Sequence, residues 1–249
     1  MIVDLRGKIA LVTGGSGQLG RTIVRTLAGA GADVAIHYHR NAVKAAELRD
    51  EIVLAGGRAA TVQADIADAQ SVAAMKDDVT RSLGAPGIIV DNAVSQYTWK
   101  PVLEQRQEDY ESQFRSCVLQ NVLMAQAFVP AMIAAGWGRV VAINTECAMQ
   151  CFPSQSAYVA GKRGMDGVLR VLAKEIGEHG ITVNQVAPGW MLSEDSTDLA
   201  PSYSERVPLK HRGTDRDVAN VVAFLASDLA AFVTGAFIPV CGGTVMPAI

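Results

Sequence analysis

The sequence predicts a single α/β domain over residues 1–249, a doubly wound, mainly parallel sheet of seven strands with helices on both faces. Three observations predict it. Seven short apolar runs alternate with stretches of helical periodicity. A glycine-rich turn separates the first run from the first helix. The polar residues with chemistry to offer fall just after the apolar runs, at the strands' carboxyl ends, where such sheets bind ligands. With 49% hydrophobic and 19% charged residues the chain has the make-up of a buried core, and no linker, repeat or low-complexity segment divides it.

Lys8 to Thr13 is an apolar run suited to burial on both faces, and Gly14-Gly15-Ser16-Gly17-Gln18-Leu19-Gly20 follows directly. Leu19, Ile23, Leu27 and Ala30 then keep helical spacing. Strand, glycine turn and helix make a Rossmann-type context, in which Gly14, Ser16, Gln18 and Leu19 are candidate contacts to a pyrophosphate at the helix's positive end. The second strand, Ala32 to Tyr38, runs into His39-Arg40-Asn41. A NAD site offers a carboxylate here to the ribose 2'-hydroxyl, and no acid occurs between Val34 and Ala46. Arg40, with His37 or His39 and the Asn41 amide, therefore favours NADP(H) over NAD(H). A helix from Ala42 to Leu54 stops at Gly56-Gly57, and the third strand, Ala59 to Ala64, delivers Asp65 and Ile66. Asp65 either meets an adenine amine or caps the helix beginning near Ala69.

Gly87 to Val90 is the fourth strand, and Asp91-Asn92-Ala93-Val94 is its carboxyl-end turn. Ser95 to Pro101 mixes aromatic and polar side chains as a substrate-facing loop does, Gln96 and Tyr97 among them. One long helix is predicted from Gln107 to Ala134, ending at Gly136; it either covers the sheet or packs against another subunit. Gly138 to Asn144 is the fifth strand and hands over to Thr145. Cys147 to Ser156 then lines a pocket, with Cys147, Gln150, Cys151 and Phe152 as candidate walls. A helix through Tyr158 continues to Gly177, Ile181 to Ala187 is the sixth strand, and Pro188-Gly189-Trp190-Met191-Leu192-Ser193 leaves it. Residues 190–212 are read as a substrate lid, polar and poorly periodic from 194 on; a surface loop is the alternative. Asp217 to Ala226 is a helix and Gly235 to Val240 the last strand.

The chemistry centres on Ser156-Ala157-Tyr158-Val159-Ala160-Gly161-Lys162. Residues four apart share a helix face, so an ammonium stands one turn from a phenol. A cation there favours the ionised phenol, which equips Tyr158 for acid/base work near neutral pH. The net charge of -3 argues against nucleic acid or anionic membrane as the main partner. Charges run through the first eight residues where a signal peptide is apolar, and no later apolar run reaches membrane-spanning length, so a soluble cytoplasmic protein is expected. Cys117, Cys147, Cys151 and Cys241 lack zinc-ligand spacing, and no metal is expected.

Taken in order, TGGSGQLG, DNA, Thr145, YVAGK and PGWMLS make the chain resemble the classical short-chain dehydrogenases/reductases over essentially its whole length. The resemblance implies that Tyr158 is the catalytic acid, that Lys162 holds the cofactor's ribose hydroxyls and lowers the tyrosine's pKa, and that Thr145 polarises the substrate oxygen in place of the family's serine. It places Asn92, Ala93, Pro188, Gly189 and Ser193 against the cofactor, and it implies a homo-oligomer, a tetramer or dimer. Gln96, Cys147, Phe152, Trp190 and Met191 are the substrate-side candidates. Departures are equally specific: Asp91 and Val94 break the usual Asn-Asn-Ala-Gly, and the family's catalytic asparagine falls on Cys117, with Asn121 one turn later, about 6 Å along the axis. Two readings follow, an NADP(H)-dependent oxidoreductase interconverting a carbonyl and an alcohol, or an impaired relative that binds NADP(H) as a sensor or subunit. Enoyl reductases of the family usually space tyrosine and lysine by seven, against four here. The substrate is not readable, since 3-oxoacyl reductases share the pattern and HYHRN resembles the cofactor loop of pteridine reductases.

Overall fold

Alternation inside each apolar run divides its side chains between two cores, one on either face of a sheet. In the computed structural model, which describes residues 2–194, 196 and 200–246, the strands are β1 (Ile9–Val12), β2 (Asp33–Tyr38), β3 (Ala59–Gln63), β4 (Ile88–Asp91), β5 (Gly138–Ile143), β6 (Ile181–Pro188) and β7 (Phe237–Val240). Ala10, Val12, Val34, Ile36, Ile88, Val90, Val141 and Ile143 face one core, while Leu11, Ala35, Ile89, Val140 and Ala142 face the other. Burial on both faces is why these runs are apolar throughout. The first core is closed by α1 (Gln18–Gly29), α2 (Ala42–Leu54) and α9 (Asp215–Ala226), the second by α3 (Ala69–Ser82), α5 (Gln120–Ala135) and α7 (Ser156–Ile176), with a single turn of helix, α6 (Cys147–Gln150), between β5 and α7.

Every pairing is parallel, in the order β3-β2-β1-β4-β5-β6-β7. Strand order therefore reverses between β1 and β4, which opens a crevice at their carboxyl ends. Local chemistry sets the helix starts. Asp68 caps α3 by accepting from the Ser71 N–H, and Thr214 caps α9 in a reciprocal box with Asp217, so α9 begins two residues before the predicted Asp217.

The predicted long helix is not one regular helix. It consists of α4 (Gln107–Gln113), a π-helical stretch at Phe114–Leu119, and α5, which ends on left-handed Gly136. By length and composition alone, residues 107–135 are apolar enough to cross a membrane, which the separate runs of the sequence did not suggest. Within the molecule, however, α5 packs on α3, α7 and β5, as the core helix of the second layer.

The α4 end of this composite helix lies almost on α7. A Cβ at Gly161 would stand 2.9 Å from the Gln113 carbonyl oxygen, and one at Gly164 would stand 2.9 Å from Val118 Cγ2. The crossing therefore needs glycine, although glycine in a helix costs about 1 kcal/mol against alanine. Gly161→Ala is expected to lose about 1–3 kcal/mol from overpacking against backbone, more than the propensity gain. A lower urea midpoint at unchanged m-value would show it, and an unchanged midpoint would mean that the helices part freely.

Candidate active site

The crevice is built on a hydrogen-bonded knot between the ends of β1 and β4. Thr13 Oγ1 accepts the N–H groups of Asn92 and Ala93 at 2.9 and 3.0 Å and donates to Gln120 Oε1 at 3.1 Å. The Asn92 amide donates to the carbonyls of Thr13 at 2.9 Å and Gly14 at 3.3 Å. Both sides of the knot carry the glycine turn. A Cβ at Gly20 would lie 2.1 Å from the Gly14 carbonyl oxygen, so only glycine lets α1 start this close to the turn. α1 has no side-chain cap and no acid in its first turn, which leaves its first N–H groups and positive end to the crevice.

The crevice is a cavity of about 1180 Å³. Of the residues proposed from sequence for the cofactor, Gly14, Ser16, Gln18, Leu19, His37, Arg40, Asn41, Asp65, Ile66, Asn92, Ala93, Tyr158, Lys162, Pro188 and Gly189 all line it, and Ser193 does not. Sequence reasoning missed Arg115 and Asp215 on this wall. Asp215 is pushed up to about 6, first by burial and then by Glu194, with Arg21 opposing.

Three of these residues do something other than expected. His37 is buried, with Nδ1 accepting the Gly14 N–H at 2.9 Å and Nε2 at 3.1 Å from the Ala64 carbonyl; burial pushes its pKa down to about 4. It is a neutral brace of the glycine turn rather than a cation, so Arg40 and His39 are left to face an anion. Asp65 does not cap α3, since Asp68 does; its Oδ1 accepts the Ala67 N–H at 2.9 Å. Asn41 caps α2 by accepting from the Lys44 N–H. An uncapped helix N-terminus, a basic β2 end without a carboxylate, and a cavity of this size fit a nicotinamide dinucleotide carrying a 2'-phosphate.

Thr145, Tyr158 and Lys162 converge at the inner end. The Thr145 N–H donates to Asn144 Oδ1 at 2.9 Å, and the Asn144 amide bridges to Gln185 Oε1 at 2.7 Å and the Lys162 carbonyl at 3.2 Å, tying the turn after β5 to α7 and β6. Thr145 Oγ1 accepts the Cys147 N–H at 3.1 Å, leaving its own O–H to donate outward. The phenol differs from expectation. Burial pushes Tyr158 well above the usual tyrosine range, the Cys117 and Cys147 thiols add to this, and a Thr145 hydrogen bond opposes it. Lys162 donates to the Ile143 carbonyl at 2.5 Å, and its Nζ stands 5.8 Å from the Tyr158 ring centroid. Burial also lowers Lys162, with Cys117 and Asp91 opposing. Desolvation thus outweighs the Thr145 hydrogen bond in setting the phenol.

Cys117 is fully buried in the π-helical stretch and lines neither cavity; its Sγ lies 3.9 Å from Gln113 Oε1. The Asn121 amide donates to the Cys117 carbonyl at 2.6 Å, and Asn121 Oδ1 is buried without a partner among the described residues.

A second cavity of about 610 Å³ opens beside the first and shares Ser95, Gln96, Thr145, Tyr158 and Gly189 with it. Gln96, Cys147, Phe152 and Trp190 line it as predicted, whereas Met191 lines the larger cavity only. Trp99 and Gln155 lie in the two stretches read as substrate-facing and line it too, whereas Glu146 was missed, since no spacing rule marks it. The predicted lid contains a short helix, α8 (Pro201–Arg206), that presents Tyr203 and Arg206 to this cavity, while residues 195 and 197–199 lie outside the described residues.

A family model described as enoyl-(acyl carrier protein) reductase matches residues 16–245. A 3-oxoacyl-(acyl-carrier-protein) reductase FabG of Staphylococcus epidermidis is 36% identical over 244 residues, covering 96% of this chain and 99% of its own. The enzyme of the same name from Pseudomonas aeruginosa is 34% identical over 249 residues, covering 98% and 100%. Among solved structures, a gluconate 5-dehydrogenase of Burkholderia cenocepacia in complex with NADP and tartrate superposes with a TM-score of 0.90 at 29% identity, over 97% of this chain and 96% of that one. A short-chain dehydrogenase/reductase of Serratia marcescens gives 0.89 at 30% identity, over 96% and 98%.

Asp91, at the end of β4, is the most perturbed carboxyl beside this site. Burial pushes it from 3.8 up to about 8, Lys162 opposes, and Oδ1 has no partner among the described residues. A folded-state pKa above the unfolded one means that the native protein holds a proton the unfolded chain has released, so stability falls as pH rises from about 4 through about 8. Asp91→Asn removes this slope. Its melting temperature relative to the parent is expected to rise from about pH 5 to about pH 8 and to level off above that; a pH-independent difference would place Asp91's titration elsewhere.

Proposed function

The chain belongs to the short-chain dehydrogenase/reductase family and is an oxidoreductase, and we propose that it is an NADP(H)-dependent ketoreductase with Tyr158 as general acid/base. The observation that carries this reading is the sharing of Thr145 and Tyr158 by the two cavities, so that a cofactor in the larger and a carbonyl compound in the smaller meet at these two hydroxyls. The spacing of four between Tyr158 and Lys162 favours a C=O over an enoyl substrate.

The start of α1 with Gly14, Ser16, Gln18 and Leu19 would hold the pyrophosphate, Arg40 with His39 and Asn41 the 2'-phosphate, and Asp65 and Ile66 the adenine end. Asn92, Ala93, Pro188 and Gly189 would flank the nicotinamide half, with Tyr158 and Lys162 on its ribose. When bound, NADPH supplies the hydride. Thr145 donates to the substrate oxygen and polarises the carbonyl. Tyr158 gives that oxygen its proton, and a phenol held protonated by burial is suited to this reducing direction. Lys162, buried against the Ile143 carbonyl, supports the returning negative charge on the phenol.

NADPH oxidation across a panel of ketones, measured with NADH in parallel, tests both parts. Tyr158→Phe should lower kcat by about 10²–10⁴-fold, the usual worth of a positioned acid. Arg40→Ala should raise the KM for NADPH by roughly tenfold or more while leaving NADH nearly unchanged, because a charged phosphate contact is lost only for the former. Equal losses for the two cofactors would remove Arg40 as the discriminator.

A homo-oligomer belongs to the same reading. α5 and α7 leave between them an apolar groove of about 450 Å³, lined by Val122, Ala125, Val168, Val171 and Leu172, with Val171 56% exposed. Light scattering should give at least twice the chain mass of 26.3 kDa. A stable monomer at micromolar concentration would contradict it.

A further inference from the structure

The smaller cavity has aromatic walls and a single cation. Tyr97, Trp99, Phe152, Trp190 and Tyr203 line it, and Arg206 is the only lysine, arginine or histidine among the described residues that do so. Arg206 is held there through α8. The Tyr203 hydroxyl donates to Glu146 Oε1 at 2.8 Å and accepts the Trp190 N–H at 2.9 Å, and its ring meets Trp190 edge to face at 5.5 Å. Three residues on, Arg206 lies one turn away on the same face of the anchored helix.

The neighbouring cations are spent on backbone. Arg212 donates to the carbonyls of Trp190 and Met191, and Lys210 donates to the Glu205 carbonyl at 2.9 Å. Arg206 is different: it is exposed and has no hydrogen-bond or ion-pair partner among the described residues. Nor does the cavity supply a partner from within. Its one carboxyl, Glu146, is 4% exposed and engaged by the Tyr203 hydroxyl, the Gln150 side chain and the Trp190 N–H, and Arg206 acts on it only through space, less than any of these. A guanidinium is planar, always charged and shaped to take a carboxylate with two parallel hydrogen bonds. One cation balances one negative charge, which favours a carboxylate over a phosphate that carries nearly two.

We propose that the substrate is an oxo acid, a ketone bearing a carboxylate, held with its carboxylate on Arg206 and its carbonyl at Thr145 and Tyr158. This rests on the ketoreductase reading and deepens it: Arg206 is the specificity-determining residue, placed on the wall that α8 brings to the two catalytic hydroxyls. A 3-oxoacyl thioester offers no carboxylate in its acyl part and leaves Arg206 unpaired.

The test compares acetoacetate, 4-oxopentanoate, 5-oxohexanoate, 3-acetylbenzoate and 4-acetylbenzoate with their methyl esters, and with acetoacetyl-N-acetylcysteamine, as substrates with NADPH. Calorimetric titration of the protein–NADP+ complex gives the Kd of each. At least one acid is expected to exceed its ester about tenfold or more in kcat/KM and to bind about tenfold or more tightly, since esterification removes a charge-assisted pair. In Arg206→Ala that ratio should collapse toward one; Arg206→Lys, which keeps the charge without the planar fork, should retain part of it. Parent turnover of the esters or the thioester with no preference for any acid overturns the inference and leaves the ketoreductase reading standing. A preference undiminished in Arg206→Ala overturns the assignment to Arg206. Absence of NADPH oxidation with every carbonyl overturns the ketoreductase reading, and the parent's Kd ratio then decides the oxo-acid inference by itself. The parent's ratio likewise decides the substrate class should the Arg206 variants fail to fold.

Discussion

The Thr13 hydroxyl takes two N–H groups from the turn after β4 and gives its own proton to Gln120 at the start of α5. Both sides of the crevice hang from this atom. On one side, Asn92 and His37 brace the glycine turn and so aim the start of α1 into the crevice. On the other, Gln120 also donates to the Ala93 and Ser116 carbonyls, which anchors the helix just where its π-helical stretch ends. The last residue of α4 and that stretch in turn meet α7 at Gly161 and Gly164, on either side of Lys162. The glycine turn and α7 are thereby referred to a common point at the switch between β1 and β4.

Burial, more than pairing, sets the electrostatics beyond this point. Asp91 and Lys162 are oppositely charged neighbours, yet desolvation is the largest influence on each and pushes both toward their neutral forms. Tyr158 follows the same rule. Glu146 does too: burial raises it, and the Tyr203 hydrogen bond only partly opposes. A ligand filling the smaller cavity would displace water from Thr145 and so strengthen any hydrogen bond its oxygen makes there.

The strands and the glycine turn were readable because double-sided burial and close backbone approach demand particular residue types, β-branched and apolar in one case, glycine at position 20 in the other. Tyr158 and Thr145 were readable because the strand-turn-helix context fixes where a strand end delivers its next residue. What escaped was set by tertiary contact. The π-helical stretch has no periodicity of its own, so residues 107–135 read as one helix. His37 read as a cation because sequence cannot show that both ring nitrogens face backbone partners. Glu146 obeys no spacing rule; its place follows only from α8, which brings Tyr203 to it.

Adjacency ties the turn after β5 to α8. Thr145 and Glu146 share that turn, and Glu146 is bonded to α8 through Tyr203, whose hydroxyl also holds the Trp190 backbone. The place of the Thr145 hydroxyl is therefore referred to α8 as well as to Asn144, and loss of the Tyr203 hydroxyl alone would release the Glu146 carboxyl and the Trp190 N–H together.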